Sequence, residues 1–274
     1  IQGFINTAVF DARFEAAGID LELVRKLQRP VGVMAIDLKT GQAGNENQLV
    51  SLVTPFAAMF LLFMGIVQIS YGLLTSVLEE KSSRVIEVLL AAVSPMQLMA
   101  GKIVGMVLVG LLLLAVWSTV GYSAAAMNNM SGAISFKLLA FAGIYFLPGF
   151  LLYSALLAAI GSACNTLKEA QSLASPVTII NLIPMMLWFP ISQSPHSAFS
   201  VVLSFIPPIT PFVMILRVCA DPNIPAWQVI GSQVVLWAAV GAAVWAAGKV
   251  FRIGILMYGK PPTPRELLRW VRYA

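Results

Sequence analysis

A chain of 274 residues that is 59% hydrophobic and only 11% charged falls far below the roughly one-quarter charged residues of ordinary soluble domains. Several of its apolar runs exceed the roughly 18 residues that read as a membrane span. Composition therefore excludes a purely soluble protein and implies an all-α polytopic membrane protein. The net charge of +5 does not point to nucleic acid, because lysine and arginine gather in short stretches beside apolar runs, as in cytoplasmic loops.

Residues 1–48 read as extramembrane. "INTAVFDARFEAAG" has helical spacing and stops at Gly18, a usual helix end. "DLELVRKL" has Asp20 as a candidate cap, Pro30 breaks it, and "VGVMAIDL" alternates as a strand does. This piece is too small to stand alone, so it reads as the C-terminal part of an extracytoplasmic domain. The chain opens on Ile1 with no visible signal peptide. An outer segment needs an earlier span to deliver it, so the expectation is a missing upstream helix, a larger outer domain, and six spans in all.

Five spans follow, at about 49–78, 103–127, 138–161, 173–191 and 226–250. Between the last two lies "FIPPITPFVMILRV", residues 205–218, apolar but rich in proline at its start. Fourteen residues at about 1.5 Å each do not cross a core of about 30 Å, so the stretch is expected to be re-entrant or interfacial. One set of loops holds Lys81, Arg84, Lys102, Lys168, Lys249, Arg252, Lys260, Arg265, Arg269 and Arg272, and the other only Lys137 and Arg217. The richer set is assigned to the cytoplasm, which puts residues 1–48 outside and the tail, 251–274, inside. Cys164 and Cys219 then fall on opposite sides and are expected to stay unbridged.

The densest charge within the membrane portion is "EEKSSRVIEVLLAAV", residues 79–93, after the first span. Val85, Leu89 and Val93 form one i, i+4 row, with Ile86 and Leu90 beside it, while Glu80, Arg84 and Glu87 line another face. Glu80 and Arg84 are spaced for an ion pair, and Pro95 disfavours helix at Ser94. The expectation is one amphipathic helix over about 79–95. Spacing alone leaves two readings open: a helix lying in the headgroups, or a docking element for a cytoplasmic partner.

The stretch "LEEKSSRVIEVLLAAVSPMQLMAGKIVG" resembles the hallmark intracellular segment of ABC-2-type transporter permeases, most closely the sodium-efflux (NatB-like) branch. "NTLKEAQSLASPVTIINLIP", "FIPPITPFVMILR" and "FRIGILMYGKPPTPRELLRW" are similar to that family's second cytoplasmic turn, outer re-entrant helices and tail. The resemblance implies a type V-like exporter transmembrane domain. It implies that residues 79–95 form a coupling helix, and that Glu79, Glu80, Lys81, Arg84, Glu87 and Lys102 meet a separate ABC ATPase. It further implies a dimer with a second permease copy, in a prokaryotic cell (inner) membrane.

No phosphate-binding loop of the GxxxxGK[ST] type occurs. No cofactor is expected in this chain; ATP and magnesium belong to the partner. His196 has no cysteine or carboxylate cluster near it in sequence, so no metal or catalytic site is expected. The span interiors carry almost no charge, unlike ion-driven carriers. Gln68, Tyr71 and Thr75 share one face of the first span, Ser118, Thr119 and Tyr122 cluster in the second, and Asn181 precedes Pro184 in the fourth. They read either as interhelical hydrogen bonds or as a translocation path at a dimer interface. Gly101 and Gly105 suggest close helix packing. Thr263-x-x-Glu266 with Pro264 suggests a capping box, and Arg265, Arg269 and Arg272 suggest an anchor on anionic lipid or a contact with the ATPase. The function expected is the permease subunit of an ATP-driven exporter. A membrane scaffold or an ATP-independent channel on the same fold is the alternative.

Overall fold

The structure, a computed structural model, describes residues 48–127, 136–221 and 223–255, with 257, 263, 266 and 269–271. The expected extracytoplasmic piece lies, but for its last residue, outside the described residues, as does most of the tail. Every regular element among the described residues is helical: α1 (Gln48–Ser82), α2 (Val85–Leu90), α3 (Pro95–Met127), α4 (Phe136–Ala163), α5 (Leu167–Met186), α6 (Trp188–Gln193), α7 (Ala198–Leu203), α8 (Thr210–Ala220) and α9 (Ala226–Gly254).

Four of these helices are long and apolar enough to cross a membrane, through Val53–Ser82, Pro95–Ser123, Lys137–Ala163 and Ala226–Gly254. α1, at 35 residues, measures about 52 Å and outruns a hydrocarbon core of about 30 Å. The expected fourth span, 173–191, is divided at Leu187 between α5 and α6 and is not one of the four. Lys168, Glu169, Gln171 and Asn181 dilute the apolar run of α5, and Pro176 and Pro184 interrupt its hydrogen-bond ladder.

The core forms where α4 lies between α1 and α9. The most apolar window of α4 is 72% buried, against 11% for α3. α3 is apolar all round and leaves Val104, Leu108, Leu112, Val116 and Val120 exposed in a single i, i+4 row. Such a face suits lipid as its solvent. Tyr145, Leu152 and Ala155 of α4 join Leu73 of α1 and Leu236 and Val240 of α9 in one cluster. A second cluster brings Leu62 and Ile66 of α1 and Phe146 and Phe150 of α4 onto Phe212 and Leu216 of α8.

The stretch 205–218, expected as one element, is a run of turns through Ile209 followed by α8. Eleven residues reach only about 16 Å. Nine successive side chains of α8, Thr210 to Val218, are buried, so α8 is an internal strut and not a surface helix. Cys164 and Cys219 are both free thiols.

Candidate functional site

The charged segment does not form one helix. α1 continues through Ser82, where the hydroxyls of Ser82 and Ser83 turn back to donate to Glu79 O at 3.0 and 2.8 Å. Such serine bonds compete with the helix ladder. Arg84 then takes a left-handed conformation, φ 58°, and α2 runs for only six residues. Ile86 is its buried residue, while Arg84, Val85, Glu87 and Val88 face outward. Val88 is 73% exposed. α3 starts at Pro95 behind a reciprocal cap: Ser94 N donates to Gln97 Oε1 at 3.0 Å and Gln97 N to Ser94 Oγ at 3.3 Å. Proline in the first helical turn needs no hydrogen-bonded N–H, so Pro95 both ends the segment and opens the next helix.

The expected residues of this segment divide into two groups. Glu79, Arg84 and Glu87 are exposed. Glu80, Lys81 and Lys102 are turned inward. Glu80 does not pair with Arg84: its Oε1 meets Lys102 Nζ at 2.5 Å, and Lys102 also donates to Ser76 Oγ at 2.9 Å. The left-handed turn at Arg84 breaks the i, i+4 register that their spacing in sequence implied. Lys81 is buried and donates to Ser162 O at 2.6 Å and Gly254 O at 2.7 Å. Of the six residues expected at the interface, three present their side chains and three brace the helices behind it.

The small-xxx-small reading misplaced the close contacts. A Cβ on Gly101 or Gly105 would meet nothing within 4 Å. The tight crossings are elsewhere: a Cβ on Gly161 would stand 2.8 Å from Leu74 O, and one on Gly254 would stand 3.0 Å from Ala163 Cα. Single glycines at these positions let α1, α4 and α9 converge to backbone contact beside Lys81.

The polar residues of the spans also separate. Tyr71 Oη meets Thr178 Oγ1 at 2.5 Å, linking α1 to α5. Thr75 sits one turn on and donates to Gly72 O at 2.9 Å, and Gln68 is exposed one turn back. Asn181 is buried and bonds the Tyr153 hydroxyl, which also lies 2.5 Å from Pro208 O. The Asn181 amide nitrogen has no partner among the described residues. Ser118 and Tyr122 lie on α3, and no hydrogen bond joins them to this set. Thr119, in the same turn, only donates back to Ala115 O. The structure thus links Tyr71 of α1 to Thr178 of α5 and Asn181 of α5 to Tyr153 of α4, keeps Thr75 bonded within α1 and Gln68 exposed, and leaves Ser118 and Tyr122 out. Thr178 and Tyr153 were not singled out from sequence; Thr178 precedes Asn181 by three residues, about one helical turn, a spacing that could have found it.

Two residues of the expected outer loops make specific polar contacts. Arg217, expected in an outer loop, is fully buried in α8. It donates to Pro195 O at 2.7 Å, to Ser204 Oγ at 2.8 Å and to Gln228 Oε1, tying α8 to the turns on either side of α7 and to α9. His196 Nε2 lies 3.0 Å from Asp221 Oδ2. Among the described residues no group of His, Cys, Asp and Glu could hold a metal. The capping box read at Thr263 is present, with Thr263 N donating to Glu266 Oε2 at 2.6 Å and Glu266 N to Thr263 Oγ1 at 3.4 Å.

Comparison with known proteins agrees with this architecture. The family model described as "ABC-2 family transporter protein" matches residues 13–249. An uncharacterized protein of Methanocaldococcus jannaschii is 32% identical over 224 residues, covering 82% of this chain and 55% of its own length. The uncharacterized protein YhaP of Bacillus subtilis is 30% identical over 272 residues, covering 94% of this chain and 64% of its own length. The chain therefore spans less than two thirds of either relative. No solved structure matches it. From the extent of the family match and the apolar, all-helical bundle, the chain belongs to the ABC-2 family of transporter proteins.

Proposed function

We propose that this chain is the membrane subunit of an ATP-driven exporter and that a separate cytoplasmic ABC ATPase docks on α2. The observation that carries this reading is the form of α2. It is a six-residue helix seated on the bundle by Ile86, with Val85 and Val88 exposed beside the charged and exposed Arg84 and Glu87. An exposed apolar pair next to two opposite charges suits a protein partner, which charge complementarity would hold in register. The excess of lysine and arginine on the α2 side supports a cytoplasmic position.

In this reading the chain works beside a second permease copy with two ATPases, and ATP with magnesium binds in those partners. Closure of the ATPases presses on α2 and shifts α1 and α3, which flank it directly. Substrate leaves along the polar face of α1 and α5, where Gln68, Tyr71, Thr75, Thr178 and Asn181 supply uncharged oxygen and nitrogen atoms. Hydroxyl and amide oxygens are suitable donors for a hard cation. This supports the sodium-efflux resemblance as the first cargo to examine.

Charge reversal at Arg84 or Glu87 tests the reading. Substrate-stimulated ATPase activity of the assembled complex is expected to disappear while the protein still inserts. Unchanged transport in both variants would refute docking at α2.

A further inference from the structure

Lys81 stands in the last turn of α1, three residues before Arg84, yet it is only 1% exposed. Its two acceptors belong to the last turns of two other long helices. Ser162 is the penultimate residue of α4 and Gly254 the final residue of α9. The last four carbonyls of a helix have no intrahelical donor, and that end carries partial negative charge. An amine between two such ends donates to both at once, beside the Met257 N–H that also reaches Gly254 O at 3.2 Å, and the bare backbones at Gly161 and Gly254 let the three helices come close enough for one side chain to reach.

We propose that Lys81 is the positioning residue that carries a displacement of α2 to α4 and α9. This rests on the reading of α2 as the docking site. The joint between Lys81 and α2 is short, and it is tied to α1 by the Ser82 and Ser83 hydroxyls on Glu79 O. A push on α2 therefore rotates or draws the last turn of α1, and with it Lys81. Because Nζ holds Ser162 O and Gly254 O, that movement reaches the ends of α4 and α9, helices that are not joined in sequence to the docking element. Lys81 itself is shielded from an ATPase. Its sequence position within the charged segment reflects what it transmits, not what it touches outside.

The test uses the permease assembled with its ATPase in lipid vesicles, as wild type and as Lys81→Arg, Lys81→Gln and Lys81→Met. Three quantities are read: cross-linking of Val88→Cys to the ATPase, substrate-stimulated ATPase rate, and hydrogen exchange at the ends of α4 and α9 when a non-hydrolysable ATP analogue binds. Cross-linking is expected in every variant. Lys81→Met should lose stimulation by about tenfold, the scale of a typical coupling between sites. Its exchange response should persist at α2 and vanish at α4 and α9. Arginine, with donors for both carbonyls, should rescue; glutamine, able to hold one, should fall between, and it serves in place of methionine should that variant fail to insert. Normal stimulation and exchange in cross-linked Lys81→Met and Lys81→Gln would overturn the proposal. So would equal loss in Lys81→Arg and Lys81→Met, which marks a structural brace. Absence of the Val88→Cys cross-link in the wild-type background would instead remove the docking reading itself.

Discussion

Glu80 Oε1 and Lys102 Nζ meet at 2.5 Å across α1 and α3, although their sequence context suggested a Glu80–Arg84 pair within one helix. The pair fixes the two long helices that flank α2. It is partly exposed, so its worth is that of a screened ion pair, about 0.5–1 kcal/mol. Glu80→Lys and Lys102→Glu should each lower stability, and the double reversal should recover most of the loss. A double-mutant cycle on detergent unfolding measures this, and additive losses would count against the pair.

Arg84 occupies a left-handed conformation that costs a residue with a Cβ about 1 kcal/mol. Arg84→Gly should therefore leave the fold as stable or slightly more so, by up to about 1 kcal/mol. If Arg84 serves docking, the same variant should still lose ATPase stimulation. Stability and activity moving in opposite directions is the signature to look for; a clear drop in melting temperature would contradict the left-handed joint.

Gly161 and Gly101 make a contrasting pair. A Cβ at Gly161 would press on a backbone oxygen at 2.8 Å, whereas one at Gly101 meets open space. Gly161→Ala should destabilise by about 1–3 kcal/mol, since backbone must move. Gly101→Ala should be neutral or stabilising, because alanine is the better helix former by about 1 kcal/mol. Thermal stability of the two variants in one detergent decides between them.

Arg217 satisfies Pro195 O, Ser204 Oγ and Gln228 Oε1 from a fully buried position. Arg217→Met keeps much of the packing volume but strands these acceptors. A loss of about 3 kcal/mol is expected, the scale of an opened buried polar network. Lysine should restore only part of it, lacking the planar fork.

Cys164 is buried just beyond α4, and desolvation, with Glu169 nearby, pushes its thiol up to about 11. The thiolate is the reactive form, so alkylation by a maleimide should stay slow from about pH 7 to about 9 and become fast in denaturant. Because the thiol keeps its proton in the fold above the unfolded value near 8.5, stability should fall, not rise, as pH climbs from about 8.5 towards about 11. Fast labelling of the folded protein at neutral pH would show that this corner is open.

Sequence alone determined the solvent of this protein. Apolar runs longer than any soluble core needs, and a charged segment between two of them, were enough to read a helical membrane bundle and the resemblance to ABC-2 permeases. The cap at Thr263 was legible because it depends on a neighbour three residues away, and the break at Ser94-Pro95 because it depends on adjacent residues. The roles of the charges were not. Glu80, Lys81 and Arg84 look alike as a run, and only tertiary structure separates a brace to Lys102, a buried clasp on Ser162 and Gly254, and an exposed joint. The partners of Lys81 lie 81 and 173 residues away; a local pattern carries no record of them. The same holds for the glycines, where spacing favoured Gly101 and Gly105 but packing chose Gly161 and Gly254. Hydrophobicity and capping act locally and can be read along the chain, whereas convergence of helix ends is decided by which backbones approach, and that is fixed only once α1, α4 and α9 have packed.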